Sequence, residues 1–273
     1  MTATDTSIAP LATTAAQGEF HGQHVLVTGA AGGIGAALAR RLLHQGARVT
    51  GLDADATGLA ALQADATPER LRVHTVDVSD ATAVDAAVAD AEATFGPVDR
   101  LACVAGVLQM GRVIDLDDAQ WSRTLAINAG GVFHVCRAVA RRMVERRRGA
   151  IVNVSSNAAS TPRAGMAAYA ASKAAVTQLS RCLALELAEY GIRCNVVSPG
   201  STDTEMQRAM WRQGSSRDAV VAGHAPSYRL GIPLQKIATP DDIVESILFL
   251  LSDRAGHITL HDLRVDGGAT LDQ

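Results

Sequence analysis

The sequence predicts a single α/β domain: a doubly wound parallel sheet of seven strands flanked by helices. Three observations predict it. From about His24 onward, short runs that are apolar throughout alternate with Ala-rich stretches of helical composition, the pattern of strands buried on both faces and joined by crossover helices. A glycine-rich loop links the first apolar run to the first helical stretch. The 273 residues contain neither an internal repeat nor a linker, so one domain fits the length.

The elements follow in order. His24 to Thr28 reads as the first strand and residues 33–45 as the first helix. Residues 47–52 and 71–76 read as the second and third strands, and Thr82 to Phe95 as a helix stopped by Gly96-Pro97. Residues 98–104 form the fourth strand, and a long helix is expected from about Asn128 to Arg148, ended at Gly149. Ala150 to Ser155 is the fifth strand, Met166 to Tyr190 a helix ended by Gly191, and Ile192 to Ser198 the sixth strand. A polar, irregular stretch follows, and a substrate lid is expected around residues 200–235. Asp241 to Leu251 is helical and Ile258 to Val265 is the last strand. The domain is expected to span 21–273. Residues 1–20 are expected to be a disordered tail, because Met1 to Gly18 is rich in Ala and Thr and has neither a basic n-region nor an apolar h-region of a signal peptide.

Composition narrows the function. Apolar residues make up 48% and charged residues 19%, which excludes extended disorder outside short segments. A formal charge of −3 gives no general attraction to nucleic acid. No apolar run approaches the roughly 20 residues of a membrane span. Cys103, Cys136, Cys182 and Cys194 form no C-x-x-C pair, so they read as free thiols of a cytoplasmic protein.

The loop Thr28-Gly-Ala-Ala-Gly-Gly-Ile-Gly35 sits between strand and helix. Gly29 permits a tight turn, while Gly33 and Gly35 allow backbone to approach a pyrophosphate and the helix to pack close to the sheet. The helix N-terminus then offers unpaired N–H groups to phosphate. Asp53 ends the second strand 18 residues after Gly35. A carboxylate there can accept from both adenosine ribose hydroxyls and repels a 2′-phosphate, which favours NAD over NADP. Asp77, in Val76-Asp-Val78, could reach the adenine amino group or be an ordinary turn residue.

Tyr169 is one of three tyrosines and Lys173 one of two lysines, and they lie four apart on one helix face. An ammonium beside a phenol favours phenolate, so the expected pKa of Tyr169 lies below the ordinary value of roughly 10. Such a tyrosine can take a proton from an alcohol as hydride leaves its carbon. Ser155-Ser156, at the end of the fifth strand, offers a hydroxyl for the substrate oxygen.

Taken with Ala105-Gly106, Asn128, Y-A-A-S-K and Pro199-Gly200, these residues resemble the short-chain dehydrogenase/reductase family over essentially everything after the tail. The resemblance implies a Rossmann fold. The family's serine lies thirteen before its tyrosine, which selects Ser156. Tyr169 is then implied as general acid/base, Ser156 as the group orienting substrate, and Lys173 as binding the nicotinamide ribose and tuning Tyr169. Asn128 is implied to hold a water of a proton relay. Gly29, Gly33, Ile34 and Gly35, then Asp53, Asp77 and Val78, then Ala105, Gly106, Pro199, Thr202 and Thr204 are implied to contact the cofactor, Thr204 at the nicotinamide amide. One departure is Cys103-Val-Ala-Gly106 where the family usually has N-N-A-G, which bears on local strand support.

Residues 156–169, 193–207, 230–234 and 257–271 resemble more closely the branch of the family that acts on 2,3-dihydro-2,3-dihydroxybenzoate. That implies NAD-dependent oxidation of a ring hydroxyl of a cyclohexadiene carboxylate, aromatisation to a catechol, a role in catecholate siderophore biosynthesis and a homotetramer. Arg163, in the loop before the Tyr169 helix, is the first candidate for the substrate carboxylate, with Arg112 and Arg208 behind it. The branch has Arg where this chain has Gln109, which keeps open an amino analogue, trans-2,3-dihydro-3-hydroxyanthranilate. Met166, Met206 and Trp211 are candidates for apolar walls of the ring pocket. An NADPH-dependent ketoreductase is opposed by Asp53, and a non-catalytic dinucleotide sensor by the complete Ser156, Tyr169 and Lys173 set. The basic run from Arg141 to Arg148 suits a helix C-terminus. His257 and His261 lack a third ligand, so no metal is expected.

Overall fold

A computed structural model describes residues 18–212 and 216–271. The strands are β1 (His24–Thr28), β2 (Arg48–Asp53), β3 (Leu71–Thr75), β4 (Arg100–Cys103), β5 (Gly149–Val154), β6 (Ile192–Pro199) and β7 (Asp262–Val265). They form one sheet in the order β3-β2-β1-β4-β5-β6-β7, and every pairing is parallel. β1 and β5 are buried along their whole length, and alternate side chains of the central strands enter two separate cores. Val25, Val27 and Val49 pack on one face with Leu38, Leu42 and Ile247. Leu26, Leu52 and Leu101 pack on the other with Val88, Val135 and Val176. The helices behind the first core are α1 (Gly33–His44) and α9 (Pro240–Leu251); those behind the second are α3 (Ala81–Phe95), α5 (Gly131–Arg146) and α6 (Ala167–Ala188). Each such buried aliphatic side chain is worth about 1.5–3 kcal/mol, the main term opposing chain entropy.

Helix starts follow capping chemistry. Asp80 accepts from the N–H groups of Thr82 and Ala83 at the start of α3, and Thr239 with Asp242 forms a capping box at α9. Gly96, at φ 80°, ends α3 as expected.

The structure corrects several boundaries. The long helix expected from Asn128 begins ten residues earlier: α4 (Asp118–Leu125), capped by Asp117 and Gln120, runs through a π turn (126–130) into α5. β4 and β7 are shorter than expected, because only residues 100–103 and 262–265 pair with neighbours. Three further short helices had no sequence signal strong enough to predict them: α2 (Ala56–Gln63), α7 (Glu205–Arg212) and α8 (Arg217–Ala222). Most of the expected tail lies outside the described residues, but Phe20 is fully buried in the first core, so the folded chain extends at least that far. Part of the expected lid, 213–215, is also outside them. Among the described residues no helix is long and apolar enough to cross a membrane. In the basic run, Arg142 and Arg146 both pair with Glu92, and Arg148 pairs with Asp99.

Candidate active site

The strand order reverses between β1 and β4, and connections leave in opposite directions there. A crevice must open at the carboxyl ends of these strands, and a deep cleft lies there.

The glycine loop forms one wall. Gly29 sits at φ 72°, in the left-handed region. A Cβ on Gly35 would lie 2.0 Å from the Gly29 carbonyl oxygen, so only glycine lets α1 start this close to the loop. α1 has no side-chain N-cap, which leaves its first N–H groups for an outside acceptor. The hydroxyl of Thr28 accepts from the N–H groups of Val104 and Ala105, each at 3.1 Å, tying β1 to the loop after β4.

Asp53 is fixed before any ligand arrives. One carboxylate oxygen accepts from Ala31 N–H and the other from Asp55 N–H, both at 3.0 Å. Asp77 accepts from the backbone N–H and hydroxyl of Ser79, bonds that hold its carboxyl below its usual pKa. Gly33, Ile34, Val78, Ala105 and Gly106 line the same cleft, as do Pro199, at the end of β6, and Thr202 and Thr204 beyond it. A glycine cradle, an uncapped helix end and a carboxylate at the end of β2 fit a dinucleotide.

Ser156 lies just past β5 and is buried. Its oxygen accepts from Ala158 N–H at 3.1 Å, and its hydroxyl is near enough to the Tyr169 phenol to favour phenolate. Lys173 is 3% exposed. Its ammonium donates to the Val154 carbonyl at 2.9 Å and lies 5.8 Å from the centroid of the Tyr169 ring. Burial lowers the Lys173 pKa from 10.5 to about 8.

The expected acidic phenol is corrected. Burial raises the pKa of Tyr169, and the nearby Ser156 hydroxyl only partly opposes it. Taking phenolate out of water outweighs one neighbouring donor when no cofactor charge is present.

Asn128 does not line the cleft. Its oxygen accepts from Val107 N–H at 2.8 Å, while its amide donates to the Val107 carbonyl and to the Ser172 hydroxyl. Both amide protons are thus committed to protein, leaving at most a lone pair for the expected water. A Cβ on Gly106 would lie 3.2 Å from the Asn128 oxygen and 3.3 Å from the Lys173 nitrogen, so Asn128 backs the part of the cleft wall made by Gly106 and Lys173. Cys103, at the family's asparagine position, contacts Cys136 at 3.9 Å; that contact and burial hold it as a neutral thiol.

The substrate candidates divide. Arg163, Met166 and Met206 line the cleft. Gln109 and Arg112 do not: the Gln109 amide bonds to the neighbouring Met110 carbonyl, and Arg112 is exposed, 3.9 Å from Asp115. Arg208 is drawn off by Asp203 at 2.7 Å. Trp211 packs against Val220, Ile232 and Ile237 rather than facing the cleft. Arg229 was missed, and it lines the cleft. Its signal was present, since it immediately precedes the distinctive segment 230–234.

The family model described as short chain dehydrogenase matches residues 23–214. The chain is 47% identical over 254 residues to the 2,3-dihydro-2,3-dihydroxybenzoate dehydrogenase of Bacillus subtilis (strain 168), covering 92% of this chain and 97% of that one. It is 45% identical over 253 residues to the enzyme of the same name from Escherichia coli (strain K12), covering 93% and 99%. Among solved structures, a glucose/ribitol dehydrogenase of the short-chain type from Brucella melitensis superposes with a TM-score of 0.84 at 32% identity, covering 94% of this chain and 100% of that one. The chain therefore belongs to the short-chain dehydrogenase/reductase family and is a dehydrogenase.

Proposed function

We propose that the protein oxidises a ring hydroxyl of 2,3-dihydro-2,3-dihydroxybenzoate, with NAD as hydride acceptor, to give 2,3-dihydroxybenzoate for catecholate siderophore biosynthesis. The observation that carries the chemistry is the gathering of Ser156, Tyr169 and Lys173, the last one helical turn beyond the tyrosine, in one cleft that also holds Arg163. The substrate is supported by relatives 45–47% identical over nearly their whole length that carry that name.

NAD, when bound, supplies the carbon that takes the hydride and a positive ring charge near the phenol. The remaining work belongs to the chain. Ser156, whose oxygen is already oriented by Ala158 N–H, holds the substrate hydroxyl against Tyr169. Tyr169, as phenolate, accepts that proton. Lys173, fixed by the Val154 carbonyl, supplies the ammonium that makes phenolate attainable against the cost of burial. Asn128 is a positioning residue that fastens the loop after β4 to α6 through Val107 and Ser172. Asp53, its two oxygens held apart by Ala31 and Asp55, is suited to the two ribose hydroxyls of NAD, and its charge opposes the phosphate of NADP. Loss of two hydrogens leaves a ketone that tautomerises to the aromatic catechol, which makes the oxidation strongly downhill.

The assay offers the dihydroxy acid, the amino analogue trans-2,3-dihydro-3-hydroxyanthranilate and an acyl β-ketoester with each cofactor. Fastest turnover of the dihydroxy acid with NAD is expected. Preference for the amino analogue, or for NADPH with the ketoester, overturns the assignment. The same reading includes a homotetramer. The apolar side chains of Trp121, Phe133 and Leu185, 42%, 43% and 66% exposed on α4, α5 and α6, support it, and light scattering at the monomer mass refutes it.

A further inference from the structure

The segment between α8 and α9 folds into a tight hairpin. His224 and Arg229 exchange backbone hydrogen bonds at 2.9 and 3.1 Å. A Cβ on Gly231 would lie 2.4 Å from the Val221 carbonyl oxygen, so the hairpin closes directly onto the end of α8. Tyr228 at its tip is 95% exposed, so the turn does not serve to bury its own side chains. What it delivers is Arg229, turned into the cleft.

There Arg229 donates to the Ser201 hydroxyl at 2.9 Å, its one side-chain hydrogen bond among the described residues. Burial depresses its pKa, and the charge of Arg163 depresses it further. Two guanidiniums, from loops 66 residues apart in sequence, thus repel one another across one cleft. An anion bound between them turns that repulsion into attraction.

We infer that Arg229, set by Ser201, joins Arg163 in a two-guanidinium clamp for the carboxylate of the substrate, and that it determines specificity for ring acids over neutral ring diols. The inference rests on the ring-acid reading above. The uncapped N-terminus of α1 offers its own N–H groups to the cofactor's pyrophosphate, which leaves these arginines for a second anion. A planar carboxylate can accept from two forks at once, which fixes the ring in its own plane and so sets which hydroxyl faces Ser156 and Tyr169.

The test measures binding rather than turnover, so it stands apart from the identity of the substrate. With NAD present, wild-type protein is titrated with 2,3-dihydroxybenzoate, its carboxamide and plain benzoate, using calorimetry. The acid is expected to bind about 10–100-fold more tightly than the carboxamide, the scale of one to two charged hydrogen bonds. Arg229→Gln is expected to collapse that ratio to within a few-fold while leaving the NAD dissociation constant unchanged. Arg229→Lys should restore only part of the ratio, because it returns the charge without the fork. Ser201→Ala should reduce it less than Arg229→Gln does. An acid-to-carboxamide ratio unaltered by Arg229→Gln overturns the clamp, as does weakened NAD binding with the ratio intact. Benzoate binding that depends on Arg229, in a protein that does not oxidise the dihydroxy acid, upholds the clamp and sinks the substrate assignment instead.

Discussion

Replacing Lys173 by methionine should stabilise the fold at neutral pH while removing most of the activity. Lys173 is 3% exposed and its pKa falls from 10.5 to about 8 on folding. That shift means the folded chain carries a buried ammonium at a cost of about 3 kcal/mol at pH 7. Its bond to the Val154 carbonyl returns about 1 kcal/mol that the variant gives up, so Lys173→Met should be about 2 kcal/mol more stable at pH 7. The sign follows from proton uptake: between pH 8 and 10.5 the unfolded lysine holds more protons than the folded one, so wild-type stability rises through that window. The advantage of the variant should shrink by about 2 kcal/mol between pH 7 and pH 9.5. Urea unfolding of both proteins at the two pH values measures this, alongside kcat, which should fall by about 100-fold or more. A variant less stable at pH 7 by a margin that does not change with pH would refute the reasoning, because the ammonium would then be a net structural support rather than a burden kept for chemistry.

Three other outcomes are expected. Tyr169→Phe should lower kcat by at least about 1,000-fold with NAD affinity retained; lost NAD binding in a folded variant contradicts the role given to the phenol. Asp53→Asn should cut the preference for NAD over NADP by about 10-fold or more in kcat/KM, by removing a charge that faces the 2′ position; an unchanged ratio places discrimination elsewhere. His24 is buried between the Gly96 carbonyl at 2.7 Å and the Thr50 hydroxyl at 2.9 Å, and burial lowers its pKa below 6.5. The stability it confers is present above about pH 6.5 and lost as pH falls through the folded value, so His24→Gln should flatten the acid side of the thermal-stability profile, and an unchanged slope denies the linkage.

Much of the site was legible because its signals are local. The glycine loop needs only contiguous residues. The pairing of Tyr169 with Lys173 needs only helical spacing, and the thirteen-residue step from Ser156 spans one strand end, one loop and one turn. Apolar runs buried on both faces announce a parallel sheet without knowledge of its order. Short elements were less legible: α7 has a markedly polar sequence, and α2 and α7 are only eight residues long, too few for periodicity to separate from noise. α4 carries too few apolar residues for a helical stripe to stand out, although Asp117 and Gln120 form a capping box at its start.

Sequence by itself determined the sheet class, the glycine loop and the helical spacing of Tyr169 and Lys173, since each depends on neighbours along the chain. Tertiary structure alone decided which arginines line the cleft and which way burial moves the phenol's pKa. Arg112, Arg163, Arg208 and Arg229 carry the same charge in the sequence, but Asp115 and Asp203 sit by two of them at the surface, and folding turns the other two into one cleft. Tyr169 resists ionisation through the loss of water around it, and desolvation belongs to the packed molecule rather than to any spacing of letters.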